Sequence, residues 1–353
     1  TATYVDGVYQ GIGGNYDTSR VEVLRGPQGT LYGRSATGGV VAFYTNDPKL
    51  DEFDINASVE IGTASLKNVQ AAINVPAGDM FAFRAAAHYI DREGYFEAEG
   101  GQSTTKEGRI KALFQPNDAL GIVLTLAMQE TVNWGGGWNA LLTAPDEIDY
   151  EGSYTEPREG APQKYRQASI NLNYDFGGST LTWIGGYHDY DYTGLGAEAV
   201  KEGKGHADQN IWPTDDFHSE EIRLASDTEG QITWLVGANY FNHEFDTSLL
   251  SVQTSWPDDP ELTASSGYLV PIWQRQTKGT FDNYGLFTEE TFKMQENFRI
   301  TAGLRYDKTK LNQSMLYQMN ENLTAMGNNL NPPIWTDPPA TFDHDDTYNN
   351  VTY

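Results

Sequence analysis

The 353 residues include no cysteine, so neither disulfides nor thiolate metal sites are available to them. Long apolar runs are absent too. Mean hydropathy is -0.55, and no stretch approaches the roughly 18 apolar residues that a spanning helix needs. A helical membrane protein is thereby excluded. Basic residues are scarce: 23 Lys and Arg stand against 49 Asp and Glu, for a formal net charge of -26. A nucleic-acid binder would need a basic face, so that class is set aside. The six His show no HExxH or other ligand spacing, and no Ser/His/Asp arrangement is readable. The sequence therefore points to no catalytic residue and no protein-held metal. No leader is visible either. The chain opens mid-pattern on TATYVDGVY, and the expectation is that the mature start lies upstream.

What the chain does have is aromatics and glycine. Phe, Trp and Tyr make up 12%, and there are 36 Gly. Strong acidity often accompanies disorder, but this aromatic content argues against it and suits a β protein with many turns. From about Asp51 the pattern has a period of two. Ile55, Ala57, Val59 and Ile61 alternate with polar residues, as do Val69, Ala71, Ile73 and Val75, then Phe81, Phe83, Ala85, Ala87 and Tyr89. Ile170, Leu172, Tyr174 and Phe176 repeat the motif, and so do Ile222 with Leu224 and Ile300 through Tyr306. Short turns fall near residues 77–79, 116–118, 177–178, 227–230 and 294–297. Longer loops are expected at 92–106, 132–163, 193–216, 246–276 and 311–345. This gives about twelve strands in an up-and-down meander, with short turns on one side and long loops on the other, the asymmetry of an outer-membrane barrel.

A soluble sandwich would also alternate. Segments of about ten residues are long for a sandwich and match a tilted bilayer crossing. Aromatics at strand ends, such as Phe53, Tyr89, Phe114, Tyr187, Tyr240 and Tyr306, resemble interfacial girdles. A barrel must close, because an open edge in lipid leaves backbone groups unpaired. The sequence stops mid-strand at NNVTY, so a longer parent chain is expected.

The N-terminal block is different. Thr3 to Tyr9 alternate about an Asp6-Gly7 pair, a tight-hairpin signal. A Gly-rich loop follows, then strands over Val21 to Leu24 and Val40 to Thr45, and Asn46-Asp47-Pro48 ends the block. A compact α+β unit is expected over residues 1–48, with the strand repeat over 49–353. The segment RVEVLRGPQGTLYGRSATGGVVAFYTNDP closely resembles the last part of the plug domain of TonB-dependent outer-membrane receptors. The match covers LRGP (Leu24 to Pro27), GTLYG (Gly29 to Gly33) and the turn Ala36 to Gly39. EEIRLAS (Glu220 to Ser226), YGLFTEETF (Tyr284 to Phe292) and AGLRY (Ala302 to Tyr306) follow in the family's order. The resemblance implies an all-β transmembrane barrel of about 22 antiparallel strands around an α+β plug, of which about twelve are present here. The segment that engages TonB, the early plug and the C-terminal strands would lie outside this sequence.

Charges next to apolar neighbours need partners if buried. Arg20, Glu22 and Arg25 are such charges, and strand parity turns Glu221 and Glu289 toward the barrel interior. The resemblance implies an Arg–Glu cluster of these five residues that couples plug to barrel. The glycines of GPQGTLYGRS serve tight turns; their spacing is wrong for a phosphate loop, and Arg34 stands where Lys is required. Gln10, Gly11 and Tyr16 are candidate ligand contacts at the plug apex, as the resemblance places that loop. Trp134, Trp138, Trp212 and Trp256 are further ligand candidates in the loops, where exposed rings bind sugar faces or aromatic ligands. Acidic clusters at 146–149, 258–261 and 343–346 could take calcium or bridge lipopolysaccharide, but none has EF-hand spacing and a solvated acidic rim is the better account. The implied function is active, TonB-driven uptake of a scarce solute across the bacterial outer membrane. A ferric siderophore is the default solute, and no resident cofactor is needed. A glycan or other bulky nutrient is the substrate alternative. A passive porin and an outer-membrane enzyme are the other classes.

Overall fold

The computed structural model describes residues 2–9, 11–26, 38–94, 102–133, 161–192, 194–198, 207–227, 230–253, 270–295, 298–319 and 339–352. They form two sheets. The small one contains β1 (Ala2–Val5), β2 (Val8–Tyr9), β3 (Thr18–Arg25) and β4 (Gly39–Thr45), in the order β2-β1-β4-β3. Tyr4 pairs with Tyr9 and Val5 with Val8 around the Asp6-Gly7 turn. Both central residues have positive φ, 50° and 85°, the backbone of a type I′ hairpin turn. β1 runs parallel to β4. The expected hairpin and both strands are present. No helix occurs among the described residues of this block, and its residues 27–37 lie outside them.

The large sheet holds β5 (Asp54–Ile61), β6 (Lys67–Pro76), β7 (Phe81–Arg92), β8 (Ser103–Asn117), β9 (Leu120–Asn133), β10 (Ala161–Asp175), β11 (Ser179–Tyr192), β12 (Gly194–Glu198), β13 (Ala207–Ser226), β14 (Ile232–Gln253), β15 (Val270–Gln295), β16 (Phe298–Met319) and β17 (Ala340–Thr352). Twelve of them follow one another as antiparallel neighbours, and β12 pairs β13 beside that path. The strand count and the short turns near 77–79, 116–118 and 177–178 are as the sequence predicts, and residues 228–229 and 296–297 of the other two turns lie outside the described residues. The expected long loops are cut back at their ends. Residues 207–216, 246–253, 270–276 and 311–319 continue strands, so β15 reaches 26 residues. At Thr214 to Asp216, Gln274 to Gln276 and Asn312 to Ser314 both faces carry polar residues, and the period-two signal fades while the backbone ladder continues.

Polarity across the large sheet is inverted relative to a soluble protein. One face exposes Leu126 (63%), Met128 (67%) and Leu286 (61%), whereas the opposite face buries Lys111 (1%), Arg305 (2%) and Arg109 (3%). A sandwich would do the reverse. An apolar outer face with a polar interior is the surface of a membrane barrel. Aromatics edge the apolar band at both ends. Phe81 stacks on Phe114 at 4.9 Å beside the short turns, and Tyr240 meets Tyr284 at 5.0 Å toward the loops. Such rings sit at membrane–water interfaces.

Leu126 lies midway along the outer face of β9. Leu126→Lys is expected to cost about 2–4 kcal/mol in denaturant titrations in phospholipid vesicles. The same lysine at Gln129, on the inner face, is expected to cost less than about 1 kcal/mol.

Candidate functional site

The small sheet lies against the inner face of the large one, and charge holds it there. Arg84 on β7 and Lys111 on β8 are direct cross-strand neighbours, and Arg109 is two residues from Lys111 on the same face. Three cations this close would repel one another, and all three are buried. Their counter-charges come from the turns of the small sheet. Arg84 Nε donates to Asp17 at 2.8 Å, and Arg109 reaches the same carboxylate at 3.4 Å. Lys111 lies 3.0 Å from Asp6 and 2.7 Å from Asp47. Asp6 also accepts from the Thr45 amide and hydroxyl, at 2.8 and 2.6 Å. One residue thus makes the hairpin turn, ties β4 to it and faces the wall.

Arg109 does more than pair. It donates to the backbone carbonyls of Gly13 at 2.6 Å and Tyr16 at 3.1 Å, and lies over the Tyr16 ring at 4.6 Å. Tyr16 in turn stacks on His88 at 5.4 Å. His88 bridges Glu107 (2.6 Å) and Asn68 (2.9 Å). Burial pushes the Tyr16 hydroxyl up to about 12, against the pull of Arg109, so it stays neutral. Burial also acts to raise Asp17, but hydrogen bonds from Arg84 and Asn46 and the charges of Arg84 and Arg109 outweigh it. Its carboxyl is held below the ordinary value of 3.8.

The other flank is apolar. Tyr9 meets Phe241 edge-on at 5.4 Å, within a cluster of Ala2, Val40 and Ala42. The β1–β2 hairpin also passes close to β11, where a side chain at Gly186 would come within 2.8 Å of Val8.

The expected Arg–Glu cluster is not the grip seen here. Arg20 pairs with Glu22 of its own strand at 2.7 Å and lies over Tyr44 at 3.6 Å. Glu221 does face the interior, but its partner is Arg223 at 3.4 Å. Neither pair bridges sheet and wall, because each finds its counter-ion two residues away on the same strand face. Arg25 ends β3, and Glu289 is half-buried on the inner face of β15, opposite Leu235 and Gly303. In the bridges at Arg84, Arg109 and Lys111 the wall supplies the cations and the small sheet the carboxylates. A signal existed, since Arg84, Arg109 and Lys111 share inner parity in a chain poor in bases.

The apex candidates move as well. Tyr16 is 2% exposed with its ring turned to the wall, where it covers Arg109 and His88. A side chain at Gly11 would sit 3.1 Å from Gln167, so that backbone is packed against β10. Gln10, Trp134, Trp138 and Trp256 lie outside the described residues; Trp212 is on β13, and its side chain is likewise outside them. Of the acidic clusters, residues 146–149 and 258–261 lie outside the described residues, whereas 343–346 belong to β17 rather than to a loop. No group of three or more His, Asp or Glu converges on a metal position among the described residues.

On the loop side of the small sheet the inner wall carries stacked rings that the sequence did not single out. Tyr165 stacks on Tyr190 at 4.3 Å, His188 on Phe217 at 4.4 Å, and Phe217 on His243 at 4.2 Å. His188, Phe217, His243 and Phe281 are successive cross-strand partners on β11, β13, β14 and β15. Asp215 lies 3.0 Å from His243. In the sequence these are single aromatics in ordinary alternation; only strand register brings them together.

Asp17→Asn leaves Arg84 and Arg109 without their shared charge, and is expected to weaken the seating of the small sheet by about 3–5 kcal/mol. Hydrogen exchange of residues 2–45 should accelerate while that of β14 and β15 is unchanged. Because the folded Asp17 carboxyl titrates below 3.8, its contribution is complete above that pH and is lost as the pH falls beneath it. Limited proteolysis of the small sheet should therefore begin below about pH 4 and be absent at pH 7.

A family model described as "TonB dependent receptor-like, beta-barrel" matches residues 127–353. The catecholate siderophore receptor Fiu of Escherichia coli O6:H1 is 23% identical over 347 residues, covering 86% of this chain and 45% of its own length. The ferrienterobactin receptor of Escherichia coli K12 is 24% identical over 327 residues, covering 82% of this chain and 42% of its own. The chain thus spans about half the length of the curated relatives it matches. Among solved structures, the ferric yersiniabactin uptake receptor FyuA from Yersinia pestis superposes with a TM-score of 0.72 at 16% identity, over 99% of this chain and 51% of that one. With the inverted sheet and the match over most of its strands, this outer-membrane chain belongs to the TonB dependent receptor-like, beta-barrel family.

Proposed function

We propose that the chain is part of a receptor for the active uptake of a ferric siderophore across the bacterial outer membrane, driven by TonB from the periplasmic side. Residues 1–48 are the rear part of its plug, and residues 49–353 the first part of its barrel. The observation that carries this reading is a separate small sheet seated inside a polar lumen by a few short ion pairs, beneath a wall of stacked rings. A passive porin has no use for such a seat. The relatives' names point the same way: catecholate siderophore receptor, ferrienterobactin receptor, ferric yersiniabactin uptake receptor.

The rings give the solute a chemistry. The Tyr165–Tyr190 pair offers a flat face that stacks against aromatic iron-binding groups, and Asp215 with His243 supplies a polar edge. The solute is bound and released, not transformed. The chain forms no covalent intermediate, and no catalytic residue is assigned to it. The outer face contacts lipid and lipopolysaccharide, and the loop carboxylates offer oxygen ligands for calcium at that surface.

Calorimetry on the full-length receptor tests the reading. A ferric tris-catecholate is expected to bind, and Tyr165→Ala with Tyr190→Ala to weaken it by about ten-fold or more, from two stacking contacts of about 0.5–1.5 kcal/mol each beyond burial. Binding of an oligosaccharide with none of the ferric complex would give the glycan alternative instead. In planar bilayers the protein should stay closed, whereas steady conductance would identify a porin.

A further inference from the structure

On the outer face of β13–β16, strand register stacks residues into rows. Leu286 neighbours Tyr306 and Thr288 neighbours Leu304, within the apolar band. Toward the loops, Tyr240, Tyr284 and Lys308 are successive partners, and then Asn242, Asp282 and Lys310. The next two rows are Asp216–Glu244–Thr280–Asn312 and Thr214–Asp246–Lys278–Ser314. They line a cleft of about 400 Å3, within the size range of small-molecule sites, roughly 300–1,000 Å3. All eight residues share the outward parity of Leu286; Phe245 and Gly279, of inward parity, back the cleft.

The two lysines below the cleft stand without counter-ions. Asp282 neighbours Lys310, but its carboxylate accepts from the Tyr240 hydroxyl at 2.9 Å and the Asn242 amide at 3.1 Å. Among the described residues, no ion pair involves Lys308 or Lys310. They are two residues apart on one strand face, about 7 Å, directly above tyrosines of the kind that mark a membrane–water interface. Lipid phosphates lie at that level, and two ammonium groups so spaced can share one.

The cleft has the opposite bias. Its charges are Asp216, Glu244, Asp246 and Lys278, and Lys278 is already 2.9 Å from Asp246. A phosphate is repelled there. Its carboxylates, the Asn312 amide and the hydroxyls of Thr214, Thr280 and Ser314 are the partners that sugar hydroxyls take. From Tyr284 to Thr280 is about 13 Å along the strand, so the cleft lies farther from the bilayer than the lysines. The order of apolar rows, tyrosines, lysines and cleft is the order of acyl chain, interface, phosphate and sugar in a glycolipid.

We infer that one phosphorylated glycolipid of the outer leaflet binds at a fixed place on β13–β16. Its acyl chains lie along Leu286 and Leu304, its phosphate on Lys308 and Lys310, and its sugars in the cleft. A free phosphosugar shares the head-group chemistry, but the apolar rows commit the site to a lipid. The inference rests on the outer-membrane placement of the chain and goes beyond solute uptake.

Native mass spectrometry of the full-length receptor in phosphatidylcholine nanodiscs tests it, with a purified rough lipopolysaccharide as the added lipid. One saturable adduct is expected. Lys308→Gln with Lys310→Gln should weaken it about ten-fold or more, and removing the lipid's phosphates should do the same to the unaltered receptor. Lys310→Gln alone, with a loss of about three-fold or more, provides the measurement if the double variant does not insert. Thr280→Trp, which fills the cleft, should abolish the preference for the full lipid over lipid A and leave lipid A binding intact. Lys67→Gln with Lys106→Gln, on the outer face of β6 and β8, is the control and should bind normally. Absence of a saturable adduct, equal weakening by the control, or saturation by the deacylated phospho-oligosaccharide overturns the site. An unchanged preference in Thr280→Trp overturns the cleft's part in it. Each of these failures leaves the uptake reading standing, since calorimetry with the ferric complex tests that separately.

Discussion

Asp17 sits between two arginines that could not be buried without it. Arg84 and Arg109 belong to neighbouring strands of the wall, on its inner face, where water is displaced by the small sheet. Removing either charge from water costs several kcal/mol, recovered only by a well-placed counter-ion. That counter-ion comes from a turn some seventy to ninety residues earlier in the chain. Lys111 repeats the arrangement with Asp6 and Asp47. The interior of the wall is therefore electrostatically incomplete alone, and the small sheet is the piece that completes it. Asn46 and Thr45 carry the same dependence into the backbone, since they fix the two aspartates that face outward from the sheet.

This constraint explains the inside-out arrangement of the whole molecule. Apolar side chains cannot serve as its core, because the lumen is where the charges are; they serve the lipid face. Leu126 and Met128 are exposed for the same reason that Lys111 is not. The membrane supplies the apolar solvent that a soluble fold would have to build from a second layer. Beyond the tyrosines that edge the apolar band, no such solvent remains. The strands go on as polar ladders, and outer charges such as Lys278 pair locally, with Asp246 at 2.9 Å.

A cavity of about 450 Å3 beside β9–β11 is lined by charges as well as amides, with Lys111, Asp6, Glu221 and Arg223 beside Asn171 and Asn173. Arg84, Arg109 and Lys111 tie the small sheet to β7 and β8 through buried ion pairs. The stacked rings stand on the loop side of the small sheet and this cavity on the turn side.

How much of this was legible depended on range. The hairpin at Asp6-Gly7, the twelve alternating strands, the short turns and the inward parity of Glu221 and Glu289 follow from local rules, because a turn and a pleat are decided by adjacent residues. Which charges meet does not. Arg20 has Glu22 within its own strand and Glu221 has Arg223, so the pairing expected across the interface is pre-empted by a neighbour. Tyr16 reads as a loop aromatic open to ligand, yet its ring is needed to cover Arg109. His188, Phe217, His243 and Phe281 read as four unrelated residues, and register alone makes them a ladder. The sequence by itself determined a polar-lined, lipid-facing sheet and the small sheet that precedes it, since both are written in spacing of two. Only the tertiary structure decided that the wall brings the cations and the small sheet the acids, because a buried charge selects its partner by distance in space and not along the chain.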